Sequence, residues 1–399
     1  KLVKEGNGFY INGEKETTCS FETYLKTYLA EHKDKNNTEL PIISGAIGYF
    51  SYEYGRKLME VDSAKEDLVS IPDAVLVFYD FYIIEDRQEQ RTYLIANGIT
   101  GEAAKLMDEM ETRISGKPVY MQKESDTEYP IEVLPNFAKD EYKQAVDRMI
   151  RYIIEGDIYI VNMTQQLTVK SDKVPLDVFY DLRENNPFGG YFDYGDFQIV
   201  CASPERFLKM QKGHVNTRPI KGTRKRGETP EEDMLMRTEL ENSEKDKSEL
   251  LMIVDLERND LNRVCNPGSV KVTELFTVEE YATVFHLVSD IEGDLEESKN
   301  VMDLLEAAFP GGSITGAPKY RAMEIIDEME NNKRNLYTGS IGYLTLDGDC
   351  DFNIVIRTAL HKDGKYYLGV GGGITAESDL EFEYEETLQK AKAVLQAMR

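Results

Sequence analysis

Tryptophan is absent from this chain of 399 residues, and cysteine and histidine are scarce, with four of each. Cys19, Cys201, Cys265 and Cys350 lie far apart, form no Cys-x-x-Cys pair and do not cluster with histidines. These spacings argue against a disulfide framework and against a zinc site. Free thiols in a reducing compartment are the simplest account, and no secretory signal pattern is seen, so we expect a cytoplasmic protein.

Positive charge is also in short supply. The chain has 47 Lys and Arg against 73 Asp and Glu, a net charge of −26. Such a surface repels phosphate backbones and anionic lipids, so neither nucleic acid nor a membrane is an expected partner. No stretch approaches the roughly 18 consecutive apolar residues of a membrane span. An anionic substrate would need a local island of positive charge or a metal ion.

The order of the predicted elements favours an α+β fold with antiparallel sheets. Helical spacing runs from Tyr142 to Ile153, with Gly156 as a left-handed cap, and further helices are predicted at 243–256, 319–330 and 380–398. Asp-Gly pairs at 347–348 and 363–364 predict hairpin turns. Strands are predicted at 75–84, 91–96, 158–163, 197–202, 341–346, 352–360 and 366–370. Helices and strands alternate in blocks rather than as βαβ units, which is typical of this fold class.

Composition divides the chain into three parts. Residues 1–112 are mostly strand with one or two helices. Residues 113–135 are polar, contain Gly116, Pro118 and Pro130, and are predicted to form a linker or surface loop. Residues 136–399 carry the motifs described below.

The most distinctive of these motifs is a turn-like segment with a single lysine, Lys221, in the sequence Pro-Ile-Lys-Gly-Thr. It lies sixteen positions beyond Glu205. A free lysine has a pKa of about 10.4, so desolvation or a neighbouring cation would be needed to activate its amine at neutral pH. An ordinary surface lysine in a turn is the alternative, and this motif alone does not decide between them.

Two acidic pairs could hold a metal ion. Asp246 and Glu249 lie three residues apart on one predicted helix, and Glu383 and Glu386 do so on the last helix. This spacing places each pair on one helix face. Carboxylates from two helices could bind Mg²⁺, which prefers oxygen ligands. In a chain with 73 acidic residues, a solvated helix face is the competing explanation.

Three other segments allow a functional and a structural interpretation. Arg357 falls in a predicted strand, on the face opposite Ile354 and Ile356, where it would grip a carboxylate or lie exposed. His286, in an apolar run, is either a site residue or a core histidine. The glycine-rich end of the strand at 369–373 either brings backbone N–H groups to an anion or makes a tight turn.

Taken together and in order, these segments resemble the chorismate-utilising enzymes. The matching stretches include SPERF at 203–207, RPIKGT at 218–223, LLMIVDLERNDLNRV at 250–264, VFHLVSDIEG at 284–293, AAFPGGSITGAPKYRAMEII at 307–326, YTGSIGY at 337–343, NIVIRTAL at 353–360, GVGGGI at 369–374 and EYEETLQKAKAVL at 383–395. Residues 41–60 resemble the N-terminal part of the amine-transferring branch. The resemblance implies two antiparallel sheets packed as a sandwich, with helices outside.

The resemblance also implies an activity. Lysine at the third position of the PIxGT motif is typical of the para-aminobenzoate branch, which serves folate synthesis, whereas the anthranilate branch typically has alanine there. The implied reaction is Mg²⁺-dependent amination of chorismate, with ammonia from a separate glutamine amidotransferase subunit. An anthranilate-forming enzyme of tryptophan synthesis is the first alternative, and a non-catalytic acidic Mg²⁺-binding protein of the same fold is the second. Some relatives hold tryptophan in an N-terminal pocket, and the sequence leaves open whether this chain does.

Roles for individual residues follow from the same resemblance. Lys221 would attack the substrate ring, and Glu205 would protonate the departing hydroxyl group. Glu249 and Glu386 would bind Mg²⁺, with Asp246 and Glu383 close by. Substrate binding is expected from Gly222, Thr223, His286, Ser313, Tyr337, Arg357, Gly372, Gly373 and Lys390. Lys319 would add positive potential.

Ile160 departs from the family pattern. It occupies the position at which the isochorismate and salicylate branches carry a lysine base, and at which amine-transferring relatives often have glutamine. Activation of water by such a base is therefore not expected.

Overall fold

The computed structural model describes residues 1–116, 128–184 and 186–399. In chain order the strands are β1 Leu2–Glu5, β2 Gly8–Ile11, β3 Glu14–Lys15, β4 Gly45–Phe50, β5 Ala74–Phe78, β6 Phe81–Asp86, β7 Arg91–Ala96, β8 Glu132–Pro135, β9 Ile160–Lys170, β10 Gly190–Asp193, β11 Phe197–Cys201, β12 Arg206–Gln211, β13 His214–Thr217, β14 Ile220–Lys225, β15 Lys271–Glu280, β16 Val284–Asp294, β17 Gly316–Ala317, β18 Ser340–Thr345, β19 Cys350–Asn353, β20 Thr358–Lys362 and β21 Lys365–Ile374.

The helices are α1 Phe21–Glu31, α2 Tyr52–Leu58, α3 Ala103–Ile114, α4 Lys139–Glu155, α5 Pro175–Leu182, α6 Pro230–Glu241, α7 Glu244–Asn262, α8 Val301–Ala308, α9 Lys319–Met329 and α10 Leu380–Ala397. A short 3₁₀ turn covers Gly312–Ile314. Over the described residues, none of these helices is long and apolar enough to cross a membrane.

The strands form two large antiparallel sheets, as predicted. The larger has the order β14-β16-β13-β12-β19-β18-β4-β5-β1-β2-β3, with β15 also paired to β16. The smaller has the order β10-β11-β20-β21-β9-β17, with β8 also paired to β9. Strands β6 and β7 make a separate hairpin. The N-terminal strands share the larger sheet with strands from the C-terminal part of the chain.

The two sheets pack face to face around a shared apolar layer. Its buried members come from β4, β5 and β18 on one side and from β11 and β20 on the other, and include Tyr49, Val75, Ile199, Ile341 and Leu360. Helices cover the outer faces: α1, α7 and α8 pack on the larger sheet, and α5 and α10 on the smaller. Burial of apolar surface in these layers is the main stabilising contribution. The α+β sandwich expected from the sequence is thereby confirmed.

Most predicted helices are confirmed. Helix α4 ends at Gly156, whose φ of 88° gives the left-handed cap, and α9 and α10 agree closely with the predicted ranges. Helix α7 continues beyond the predicted end at 256 to Asn262. Side-chain caps fix the starts of both acidic helices: Ser243 accepts from Asp246 N at α7, and Asp379 accepts from Phe382 N at α10.

Two strand predictions are wrong. The predicted strand at 75–84 is two strands, of which β5 joins the larger sheet and β6 pairs with β7. The predicted strand at 352–360 is also two strands, because the chain leaves the larger sheet after β19 and enters the smaller sheet at β20. Arg357 therefore lies in the crossing segment, with a φ of 50°, and not on a strand face.

The predicted linker at 113–135 is only partly within the described residues. Helix α3 extends to Ile114, and β8 pairs with β9 at the far end of the segment. Residues 117–127 lie outside the described part of the chain. The domain boundaries stay a prediction.

Candidate active site

Two crossing segments bring Glu205 and Arg357 together between the sheets. Residues 202–205 lead from β11 to β12, and residues 354–357 lead from β19 to β20. Backbone hydrogen bonds join them, from Ile354 N to Glu205 O at 3.0 Å and from Ala202 N to Arg357 O at 3.1 Å. Ser203 Oγ donates to Ile354 O at 2.6 Å. The SPERF and NIVIRT motifs are thus two halves of one structural unit.

Glu205 is a buried acid held by a serine. Its side chain is 8% exposed, and its Oε1 accepts a hydrogen bond from Ser313 Oγ at 2.9 Å. Burial raises the pKa of the Glu205 carboxyl above its ordinary value, although the Ser313 hydrogen bond and the nearby charge of Lys221 oppose the shift. A carboxyl of this kind can hold a proton at a pH where an exposed glutamate is ionised.

Lys221 lies beside the same serine. Its Nζ is 3.4 Å from Ser313 O, and a Cβ added at Gly373 would lie 3.3 Å from that Nζ. The lysine belongs to strand β14 and not to a turn, contrary to the prediction. A bulge between Lys221 and Thr223, with Gly222 at a φ of 74°, lets the strand change direction there.

The glycine-rich end of β21 runs past carboxylates from two helices. A Cβ added at Gly372 would lie 2.6 Å from Glu386 Oε2 and 3.4 Å from Glu383 Oε2, and one at Gly373 would lie 4.0 Å from Glu249 Oε2. Glycine at position 372 therefore lets the Glu386 carboxylate lie this close to the strand, whereas at Gly373 an added Cβ would make nearly ordinary contacts. Ile160, whose Cδ1 would be 3.5 Å from the same added Cβ at Gly373, closes this side with an apolar wall.

The acidic groups lie close enough to affect one another. Burial raises the pKa of Glu249, and the neighbouring charges of Asp246 and Glu386 raise it further, while Lys221 and Lys245 lower it. Burial also raises the pKa of Glu383. Asp246 pairs with Arg224 at 3.1 Å. A cation among these carboxylates would relieve their mutual repulsion.

No preformed metal centre is present in the residues the structure describes, since no three His, Cys, Asp or Glu side chains are arranged there to hold an ion. A lysine partly neutralises the acidic groups instead: Lys390 Nζ lies 3.2 Å from Glu386 Oε2 and 2.8 Å from Gly371 O. Lys319, expected to add potential at the site, instead forms a buried pair with Asp260 at 2.7 Å. The acid cluster has the oxygen donors that Mg²⁺ prefers, and its lysines would have to move aside.

We call the space bounded by Lys221, Glu205, Ser313 and Gly373 the cleft. Thr223 and His286 are cross-strand partners on β14 and β16, beside Lys221. The Thr223 hydroxyl lies 2.9 Å from His286 Nδ1. Burial and the Arg357 charge lower the pKa of His286 to about 4, so its imidazole is neutral at physiological pH. Arg357 itself is exposed, and within the described residues its guanidinium forms no ion pair or hydrogen bond. It is available to an anionic ligand.

The Tyr337 ring packs against another glycine of β21, Gly369. A Cβ added at Gly369 would come within 2.1 Å of the Tyr337 ring, so only glycine lets the ring lie against β21. A small open pocket adjoins the ring, and its lining includes the polar side chains of Gln166 and Arg334. The predicted residues Lys221, Glu205, Ser313 and Gly373 thus lie around the cleft, and Tyr337 lies against Gly369, farther along β21.

A model of the family described as chorismate binding enzyme matches residues 8–396. The chain belongs to the chorismate-binding enzymes. It is 38% identical to aminodeoxychorismate synthase component 1 of Bacillus subtilis, over 99% of this chain and 85% of that protein. It is also 35% identical to anthranilate synthase component 1 of Acetivibrio thermocellus, over 100% of this chain and 83% of that protein.

The solved structures agree with the family assignment. The crystal structure of anthranilate synthase component I from Streptococcus pneumoniae superposes with a TM-score of 0.89 at 31% identity, over 100% of this chain and 89% of that one. Both amine-forming branches of the chorismate-binding enzymes are therefore represented among its relatives. The overall similarity does not separate the two branches.

Sequence reasoning missed one set of buried groups that supports the site of this chorismate-binding enzyme. Glu330 and Arg334 form a buried pair at 2.6 Å, and Arg334 also donates to Ile314 O at 2.9 Å and Asn162 O at 3.0 Å. Their i,i+4 spacing was the available signal, but in a chain with so many charges it resembles an ordinary surface pair.

Proposed function

We propose that this chain is component I of aminodeoxychorismate synthase, which converts chorismate and ammonia to 4-amino-4-deoxychorismate for para-aminobenzoate and folate synthesis. The observation that carries the proposal is the position of Lys221. Its amine reaches into the cleft between Ser313 and Gly373, on the same side as the buried acid Glu205. A nucleophile and a proton donor therefore face one space.

The proposed reaction has two displacements. Lys221 Nζ attacks ring carbon 2 as the carbon 4–oxygen bond breaks, and Glu205 gives its proton to the departing hydroxyl group, which leaves as water. Ammonia then forms a bond to carbon 4, and the carbon 2–nitrogen bond breaks to release Lys221. Together, these two steps replace one difficult direct displacement of hydroxide by ammonia with two easier ones.

Residues that line the cleft would bind the negatively charged substrate. We assign the enolpyruvyl carboxylate to Arg357 and Tyr337, helped by the backbone of Gly372 and Gly373. Gly222, Thr223, His286 and Ser313 would line the ring, and Lys390 would add positive charge. Because His286 is neutral, it can donate or accept a hydrogen bond without adding charge.

Mg²⁺ is part of the proposal. Glu249 and Glu386 would hold it, with Asp246 and Glu383 nearby, an arrangement that suits an ion that keeps several waters. When bound, it would neutralise a substrate carboxylate and so help the hydroxyl group to leave. The acids' mutual repulsion, described above, is the support for this assignment.

Ammonia would come from a separate glutamine amidotransferase subunit. Three of the four cysteines are buried, and Cys19 is partly buried. None of the four lies in the sequence context of a hydrolase nucleophile. The chain is thus expected to use ammonium salts alone but not glutamine alone. Turnover with glutamine by the purified chain would contradict this.

The test is a product assay with chorismate, Mg²⁺ and ammonium at mildly basic pH, read by mass spectrometry. Aminodeoxychorismate without pyruvate is the expected product. Anthranilate with pyruvate would place the chain in the other amine-forming branch, which the similarity to anthranilate synthases keeps as the second candidate.

The matched test of the nucleophile is Lys221→Ala, which removes the amine but leaves the acid cluster intact. We expect loss of most amination while Mg²⁺ binding survives. Lys225→Ala, on the same strand but with an exposed side chain, is the control and should keep its activity. Unchanged turnover in Lys221→Ala would refute the covalent route.

A further inference from the structure

Glu257 is a buried acid to which the proposed reaction gives no role. It lies on α7, the helix that also carries Glu249, and is 7% exposed. Across the described residues no lysine or arginine forms an ion pair with it, and its hydrogen-bond partner is Thr217 Oγ1, at 3.0 Å from Oε2. A buried carboxylate with no cationic partner is costly, so its protonation state matters.

The contacts of the Thr217 hydroxyl group indicate whether the Glu257 carboxyl is protonated. Thr217 Oγ1 is also 2.7 Å from Phe207 O, a carbonyl that can only accept. The single proton of the hydroxyl must therefore point to Phe207. The second short contact, to Glu257, is then a hydrogen bond only if the carboxyl of Glu257 supplies the proton.

The surroundings favour the same state. Burial raises the pKa of Glu257 to about 8, and the charges of Glu205 and Asp260 act in the same direction. The charge of Lys319 lowers this pKa, as would a hydrogen bond donated by Thr217, but the Thr217 proton is directed to Phe207 O. The Lys319 charge is already paired with Asp260, at 2.7 Å. These are the charged groups that face Glu257 from its own helix, from the segment before β12 and from α9.

Glu257 also supports both sides of the cleft. Thr217 is the last residue of β13, four positions before Lys221. On the other side, a Cβ added at Gly312 would lie 3.6 Å from Glu257 Cγ, and Gly312 precedes Ser313, which contacts both Lys221 and Glu205. One side chain thus lies beneath the strand end and the turn that hold the reacting groups.

We propose that Glu257 is a positioning residue that works in its protonated form, donating to Thr217 and so fixing the strand end that leads to Lys221. The kinetic part of this inference rests on the proposed function, but the protonation state does not. Ionisation of Glu257 would remove the donor and leave a charge beneath Lys221 and Ser313.

The protonation state is tested by stability alone. A glutamate whose pKa is raised in the folded protein destabilises it progressively as pH rises from the ordinary value of 4.5 to about 8. The Tm of Glu257→Gln, which keeps a donor but cannot ionise, should therefore rise relative to wild type over this range and then stay level. The control Asp255→Asn, an exposed acid on the same helix, should show a constant difference. A constant difference for Glu257→Gln as well would overturn the inference.

The positioning role is tested by kinetics, following whichever aminated product forms. Glu257→Ala and Thr217→Val should each lower kcat, by up to about 100-fold if Lys221 shifts by an ångström, and Thr217→Ser should restore it. Wild-type kcat is expected to decline as pH rises through about 8, and Glu257→Gln should lose this decline. Wild-type kcat in Glu257→Ala and Thr217→Val would refute the role. Formation of anthranilate would refute the proposed function and leave these tests intact.

Discussion

The buried pair between Glu330 and Arg334 gives a stability prediction with a defined size. Arg334 is 5% exposed and Glu330 is 3% exposed. In Arg334→Ala, the hydrogen bonds left to the Glu330 carboxylate among the described residues would be those from Thr164 N at 3.0 Å and Thr164 Oγ1 at 2.8 Å. Leaving one partner of a buried ion pair uncompensated costs about 3–5 kcal/mol.

This cost can be converted to a melting temperature. At about 2.1 cal/mol/K of unfolding entropy per residue, a chain of 399 residues has about 0.8 kcal/mol/K, so the expected fall in Tm is about 4–6 °C if unfolding is cooperative. The assay is calorimetry or circular dichroism with temperature. Adding Glu330→Gln to Arg334→Ala should recover part of the loss, since it removes the unpaired charge.

The control is an exposed ion pair that joins α4 to α9. Arg148 and Glu328 lie 2.8 Å apart, with 59% and 42% of their side chains exposed. Arg148→Ala should cost no more than about 1 kcal/mol. If Arg334→Ala destabilises the protein no more than Arg148→Ala, the reasoning from burial is refuted.

Two further predictions concern the cleft. Gly372→Ala should fold normally, because its new methyl group meets only the movable ends of Glu386, Glu383 and Lys390, yet it should weaken Mg²⁺ binding by about 10- to 100-fold by displacing Glu386. Calorimetric titration with Mg²⁺ checks this against Gly101→Ala, where the methyl group meets nothing within 4 Å, and equal affinities would contradict it. For His286, whose pKa is lowered to about 4, stability should be lost as pH falls from 6.5 toward 4, by up to about 1.4 kcal/mol per pH unit. Urea denaturation of His286→Asn should show a shallower dependence than wild type, and identical slopes would exclude a buried neutral histidine.

The sequence by itself determined the elements with strong local signals. The apolar spacing of α4 and the glycine at its end predicted that helix correctly, because helical period and left-handed caps depend on near neighbours. The Asp-Gly pairs likewise predicted both hairpin turns. The ordered motifs identified the family, and with it a sandwich of antiparallel sheets.

Only the tertiary structure decided where strands change sheets and which charges are buried. The continuous apolar run at 352–360 is compatible with one strand, and its division depends on partners about 150 residues away, at β11 and β12. The same holds for Glu257 and Arg334, which look like surface residues in a chain of 73 acids. Burial is a property of the packed helices and sheets, so a local pattern of charge cannot reveal it.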